Sequence, residues 1–388
     1  MRRALISASS FTIGWSEVFV QFKTEKEDIM YRTFFKSIVV TVTISGFLLC
    51  AMPALSESGD NLGVGLKPKT GAQKTAKDQF KRKAPWEIAI SMPGAGNSWI
   101  VQMFEETKYA ASKDKRISEF VVADAEWNPA KQVADLEDML TKDVDAIIVW
   151  PVTPTALGAI VDKIAARGVA VITSGPIEGT NRQATEFTFG RDAFGRVGGE
   201  FLVRELKSKG TVWMIRGVAG VAEEEFRYQG AVSAFKGTDI KIGAEVYGDW
   251  SYAKGKQVCE NLVLSGRPVD GIWFSGAEMT KGCLEVFQEF KKPLVPMTGE
   301  GNNGFLRVWK ESGVKSIVPV YPSPIGQATV RAAVALLEGK QLYKGYISVL
   351  PPITEKNRDD YYRPDLSDNY WVPCGLPEAK IKELYGKK

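Results

Sequence analysis

The sequence predicts an α/β protein of two similar lobes, each a parallel sheet with helices on both faces. Three observations carry that prediction. From Trp86 onward, short apolar β-type runs alternate with helical patterns. The runs are apolar throughout, as strands covered on both faces must be. The alternation then restarts near residue 211 and gives more strands than one tidy sheet holds.

The first set of strands is IAISM (88–92), FVVADA (120–125), AIIVWPV (146–152) and VAVITSG (169–175). Asn128-Pro129 reads as a helix N-cap followed by proline at the first helical position, and Thr153-Pro154 repeats the signal. Gly168 stands where a helix C-terminus belongs. The second set is TVWMIRG (211–217), KIGAEVYGDW (241–250), GIWFSGAE (271–278) and PLVPMTGE (293–300), with helices near 193–209, 221–236, 252–265 and 279–291 between them. SIVPVYPS (316–323), a helix near 325–339 and YISVL (346–350) follow. The proline-rich aromatic tail at 359–379 suits a segment lying along a lobe or beside a hinge.

Composition narrows the function. The chain has 388 residues, enough for two cores, and its net charge of +4 is too weak to argue for nucleic acid. It contains no histidine, which removes Ser-His-Asp and Cys-His nucleophiles and imidazole zinc sites. The four cysteines (Cys50, Cys259, Cys283 and Cys374) form no C-x-x-C pair. Neither cofactor nor metal is expected.

Residues Ser37–Ser56 carry no charge and follow Arg32 and Lys36. Read from Met30, this is a basic n-region, an apolar h-region and small residues near 54–56, the layout of a cleaved export signal. The apolar core is shorter than the ~20 residues of a membrane span. Bulky Leu49 argues against Cys50 as a lipid-attachment site. Residues 1–29 carry Glu17, Glu25, Glu27 and Asp28 and fit a misplaced start, with translation beginning at Met30. Residues 57–84, rich in Gly, Lys and Ala, read as a flexible leader.

Ligands of parallel sheets bind outside the carboxyl ends of the strands. The residues there are Asn97, Trp99, Trp127, Trp150, Ser174, Trp250, Glu278, Glu300, Asn302, Asn303 and Tyr321. Amides, carboxylates and indoles suit hydrogen bonding to hydroxyls and stacking on a C–H face. The glycine turn GAGNSW (94–99) has Trp99 where a dinucleotide fingerprint has its third glycine, which favours a neutral polar ligand over a phosphate. Each candidate also has a plainer role: Trp99 packing on its own helix, Glu300 or Asn302 capping the helix near Asn303, Trp127 and Trp150 as rim residues. Trp213 and Trp273, inside strands, read as core.

With NPAKQVADLEDML (128–140), AIIVWPVTPTAL (146–157), VAVITSG (169–175), EEFRYQGAVSAF (224–235) and IGQATVRAAVALLEGK (325–340) in this order, the chain resembles the ribose-binding type of periplasmic solute-binding protein of ABC transporters over roughly 86–350. The resemblance implies two Rossmann-like lobes joined by a multi-strand hinge, 85–190 with 323–348 and 191–322 with 349–388, closing on one sugar or polyol. It implies that Trp99 and Trp250 sandwich the ligand, with Asn97 beside Trp99. It also implies that Arg227 donates in a fork to ligand oxygens, against the plainer alternative of an ion pair within its acidic helix start. Glu278 or Glu300 would accept from ligand hydroxyls. Ser174-Gly175, Gly276 and Gly299-Glu300 stand where many sugar-binding members carry Asp-Arg, Asn and Asp, which implies a hydroxylated ligand other than ribose. A monomeric, non-enzymatic periplasmic protein that docks on an inner-membrane permease is the expectation. The alternatives are a periplasmic sensor presenting its ligand to a chemoreceptor or kinase, a lactose-repressor-like regulator, which would need a DNA-binding helix-turn-helix where the export signal stands, and an enzyme using Glu278 and Glu300. Cys259 and Cys283 fit either a disulfide or two buried thiols.

Overall fold

A computed structural model describes residues 62–387 apart from 64 and 189–191. The export signal and Cys50 lie outside the described residues.

The first sheet has the order β1-β12-β6-β5-β4-β2-β3. Its strands are β1 (Leu66–Pro68), β2 (Trp86–Met92), β3 (Ile117–Asp124), β4 (Ala146–Val149), β5 (Ala170–Ser174), β6 (Thr185–Thr188) and, much later in the chain, β12 (Gly345–Ser348). All neighbours are parallel except β1, which runs antiparallel to β12. Helices α1 (Ser98–Lys113), α2 (Pro129–Thr141) and α3 (Gly158–Ala166) connect the strands, and α9 (Ile325–Leu337) packs beside α1. The central strands AIIV and AVITS are buried at every position, which accounts for their unbroken apolar run.

The second sheet has the order β11-β10-β9-β7-β8 and is parallel. It comprises β7 (Lys209–Arg216), β8 (Asp239–Tyr247), β9 (Gly271–Phe274), β10 (Met297–Thr298) and β11 (Ser316–Ile317). Helices α4 (Ala193–Glu205), α5 (Ala222–Phe235), α6 (Tyr252–Leu264), α7 (Ala277–Glu289) and α8 (Asn303–Ser312) surround it. Helices α4 and α5 pack so closely that a Cβ on Gly195 would stand 1.6 Å from the Arg227 carbonyl oxygen. Cys259 of α6 and Cys283 of α7 form a disulfide. Trp213 and Trp273 are core, as expected.

Several expectations need correction. Thr153 does not cap a helix: α3 begins at Gly158, and its first position carries no side-chain cap. Residues 151–157 instead fold as a loop held by Pro154, whose carbonyl accepts from the Glu178 N–H at 2.7 Å. The long strands read at 293–300 and 316–323 shrink to two residues each. Pro293, Pro296, Pro319 and Pro322 remove donors a ladder would need. Part of the supposed leader belongs to the fold: β1 pairs with β12, Lys74 bridges Tyr343, and Leu66, Thr75 and Phe80 are buried. Single anchors separated by lysines leave no periodic signal.

The chain passes between the sheets after β6, after β11 and after β12. The tail, with α10 (Arg358–Tyr361) and α11 (Glu378–Tyr385), then lies on α8. Asn303 donates to the Leu366 carbonyl, and the Val372 N–H donates to Gly301. Gln102 of α1 pairs with both the N–H and the carbonyl of Trp371, each at 2.9 Å, so the tail touches both lobes.

Candidate ligand-binding site

The carboxyl ends of both sheets face one cavity of about 120 Å³. Nearly every strand end contributes a wall. Asn97 and Trp99 follow β2, Trp127 follows β3, Trp150 follows β4, and Ser174 ends β5. From the second sheet come Trp250 after β8, Glu278 after β9, Glu300 after β10 and Tyr321 after β11, with Glu223 and Arg227 on the first turns of α5. Of the strand-end candidates and Arg227, all but the neighbours Asn302 and Asn303 therefore line this cavity.

Asn303 spends its amide on the tail, donating to the Leu366 carbonyl, and Asn302 serves its helix. Its Oδ1 accepts from the Phe305 N–H at the start of α8, and its Nδ2 donates to the Asp368 carbonyl. The capping role wins because both ends of the amide are already used. Asn97 does both jobs: its Oδ1 caps α1 through the Ile100 N–H at 3.0 Å, and the residue still lines the cavity.

Arg227 combines the ion pair and the site. Its Nε donates to Glu223 at 3.0 Å, one terminal nitrogen to the Ser275 carbonyl at 2.6 Å and the other to Glu300 at 3.3 Å. Phe194 and Tyr321 sandwich the guanidinium, with ring centroids 3.8 and 4.6 Å from Cζ. Three of its five N–H groups, one on each nitrogen, are thus committed to protein acceptors.

The glycine turn serves an indole. A Cβ on Gly94 would stand 2.5 Å from Nε1 of Trp127, so the turn lets that ring lie against the backbone. The second lobe repeats the device: a Cβ on Gly276 would stand 2.7 Å from Cδ1 of Trp250. Glu126-Trp127 and Asp249-Trp250 follow the edge strands β3 and β8 of their sheets with left-handed backbone, at φ +53 and +60, then +56 and +51. Such conformations in bulky residues cost on the order of 1–3 kcal/mol and gather at binding sites. The two indoles meet with centroids 6.4 Å apart. Behind them Trp99 donates from Nε1 to the Tyr321 carbonyl and sits 5.9 Å from Trp150.

Two buried polar atoms in the wall have no partner among the described residues: Nε1 of Trp150 and Oγ of Ser174. The Trp150 loop is fixed by Gln132, which donates to its carbonyl at 2.7 Å. Burial pushes Glu300 up to about 7 against the pull of Arg227. Burial also raises Glu278, opposed by a hydrogen bond from Ser98, and raises Glu223, opposed by Arg227. Burial opposes the charge of Arg227, but Glu300 and Glu223 hold its pKa above the ordinary value.

Sequence reasoning passed over Trp371 and Glu223 as site residues. Trp371 reaches the cavity from the tail, and its Nε1 donates to Ser98 Oγ at 2.7 Å, which donates on to Glu278 at 2.7 Å. The EEE run at 223–225 is the only sequence sign of Glu223.

The family of the periplasmic binding protein domain matches residues 88–341. The chain belongs to that family. This periplasmic binding protein is 24% identical over 321 residues to the ribose import binding protein RbsB of Bacillus subtilis (strain 168), covering 83% of this chain and 99% of that one. Among solved structures, an ABC transporter solute-binding protein from Thermobispora bispora DSM 43833 superposes with a TM-score of 0.67 at 23% identity, covering 77% of this chain and 94% of the other. One from Bacillus halodurans C-125 with bound myo-inositol gives 0.64 at 20% identity, covering 72% and 98%. The two-lobed parallel α/β fold expected from sequence is the fold these structures share.

Proposed function

We propose that the protein is the substrate-binding component of an ABC importer. It captures a hydroxylated small molecule, a sugar or polyol, between its lobes and delivers it to an inner-membrane permease without chemical turnover. One observation carries the reading: a cavity at the carboxyl ends of both sheets, walled by indoles from each, in which Trp150 Nε1 and Ser174 Oγ are buried without partners among the described residues. A Trp N–H buried in this way needs an acceptor, and a ligand hydroxyl supplies one. Trp127 and Trp250 cover the apolar face. The myo-inositol bound by one structural neighbour agrees with a ligand of this class. Export of a monomer from a precursor that starts at Met30, with cleavage near residues 54–56, completes the reading. The disulfide between Cys259 and Cys283 fits an extracytoplasmic location.

The test is a thermal-shift screen of pentoses, hexoses and polyols, followed by calorimetry and uptake. A ligand at 100 times its Kd adds about 2.7 kcal/mol of stability. The reading fails if no member of the panel moves the Tm and uptake survives Trp99→Ala and Arg227→Ala. Turnover of any bound sugar argues for an enzyme instead. Pull-down of a receptor or kinase in place of the permease argues for a sensor.

A further inference from the structure

We propose that the ligand carries a cationic amine as well as an oxygen acceptor, so that the cavity takes an amino sugar or amino alcohol in preference to its neutral counterpart. The inference rests on the capture function proposed above and narrows its ligand class. The walls are chemically unequal. The second lobe lines the cavity with three carboxylates, Glu223, Glu278 and Glu300, and one cation, Arg227. Arg227 is committed to Glu223, Glu300 and the Ser275 carbonyl, and its faces are covered by Phe194 and Tyr321. One guanidinium therefore pairs with two of the acids, and the third, Glu278, has the Ser98 hydroxyl and the charge of Lys281, in a space bounded by indole rings where water screens poorly.

Independent of the acids, the first lobe presents unpartnered Trp150 Nε1 and Ser174 Oγ, on residues 5% and 9% exposed. An N–H donor at one end asks for oxygen. Surplus carboxylate among aromatic faces at the other end asks for a positive charge, which indoles also attract through their π faces. A neutral polyol answers the first wall only. The groups facing Glu300 are Arg227, Glu223, Glu278 and Tyr321, and burial raises it to about 7, so that it carries a proton at about pH 6. An arriving ammonium displaces that proton, whereas a neutral sugar leaves it in place.

The experiment is isothermal titration of purified protein with matched pairs: D-glucosamine against D-glucose, an inosamine against myo-inositol, and 3-amino-1,2-propanediol against glycerol. In at least one pair the cationic member binds tighter by about tenfold or more. At about pH 6 its binding enthalpy varies with the buffer's ionisation enthalpy, reporting proton release, and that of the neutral partner does not. Glu300→Gln and, separately, Glu278→Gln reduce the preference ratio, a readout indifferent to a general loss of affinity. If neutral members bind as well or better and release no proton, this inference is overturned while sugar capture stands. If no compound of either kind binds, both are overturned.

Discussion

A carboxyl group held near pH 7 inside a folded protein is a debt the fold carries, and at Glu300 the debt has a direction. Its pKa lies above the ordinary 4.5 at about 7, so the native state holds the proton more tightly than the unfolded chain. The contribution of Glu300 is therefore complete below the ordinary carboxyl range and is lost as pH rises through about 7, on the order of 3 kcal/mol. Glu223 and Glu278 shift the same way, opposed by Arg227 at the first and by Ser98 and the charge of Lys281 at the second. Urea unfolding of the ligand-free protein at about pH 5 and pH 8 is expected to show lower stability at the higher pH, with a smaller difference in Glu300→Gln. Equal slopes in the two proteins would remove Glu300 as the cause. Trp127 and Trp250 give a second residue-level expectation. Each is a large, rigid face aimed at the cavity by left-handed backbone, so alanine at either position is expected to weaken binding of the sugar-class ligand by at least about tenfold in calorimetry.

Between α6 and α7 the disulfide closes a 24-residue separation. Replacing Cys259 and Cys283 together with serine is expected to lower unfolding stability by about 3 kcal/mol, read by urea denaturation, while ligand Kd changes little because neither residue lines the cavity. Elements also show what the sequence makes legible. The strands β2, β4, β5 and β9, and β7 from Val212 onward, are buried at nearly every position because helices cover both faces, and their mostly apolar runs stand out. Since ligands of such sheets sit past strand ends, those strands led to part of the cavity wall: Trp99, Trp150, Ser174 and Glu278 follow from them, whereas Trp250, Glu300 and Tyr321 follow β8, β10 and β11. The misses share another cause. Strands β1 and β6 are short, polar-flanked and defined by partners distant in sequence, such as Leu66 opposite Ser348. The unused cap at Thr153 lost to packing of Gly158, where a Cβ would stand 2.5 Å from the Glu178 carbonyl oxygen. Trp371 belongs to a tail without periodicity, and only tertiary structure brings it to the cavity.

At the scale of the whole molecule, the two lobes are already in contact across the cleft. Trp127 meets Trp250, and a relay of hydrogen bonds runs from Trp371 in the tail through Ser98 on the first lobe to Glu278 on the second. Opening the lobes breaks the Ser98–Glu278 bond and returns the Glu278 carboxylate to water, which solvates its charge better than a half-buried wall does. Ser98 is thus a latch whose net worth is small, because both of its partners gain water on opening. A charge-assisted bond of this kind contributes about 1–2 kcal/mol. Ser98→Ala is expected to shift the ligand-free population toward the open form, seen as a larger radius of gyration in small-angle scattering. Ligand affinity should fall about fivefold or more as binding then has to supply the closing energy. Asn303 provides the control. It ties α8 to the tail carbonyls of Arg363, Leu366 and Ser367 and does not line the cavity, so its loss should lower Tm without changing the ratio of open to closed scattering. If Ser98→Ala leaves both scattering and affinity unchanged, closure rests on the indole pair alone and the relay is only packing.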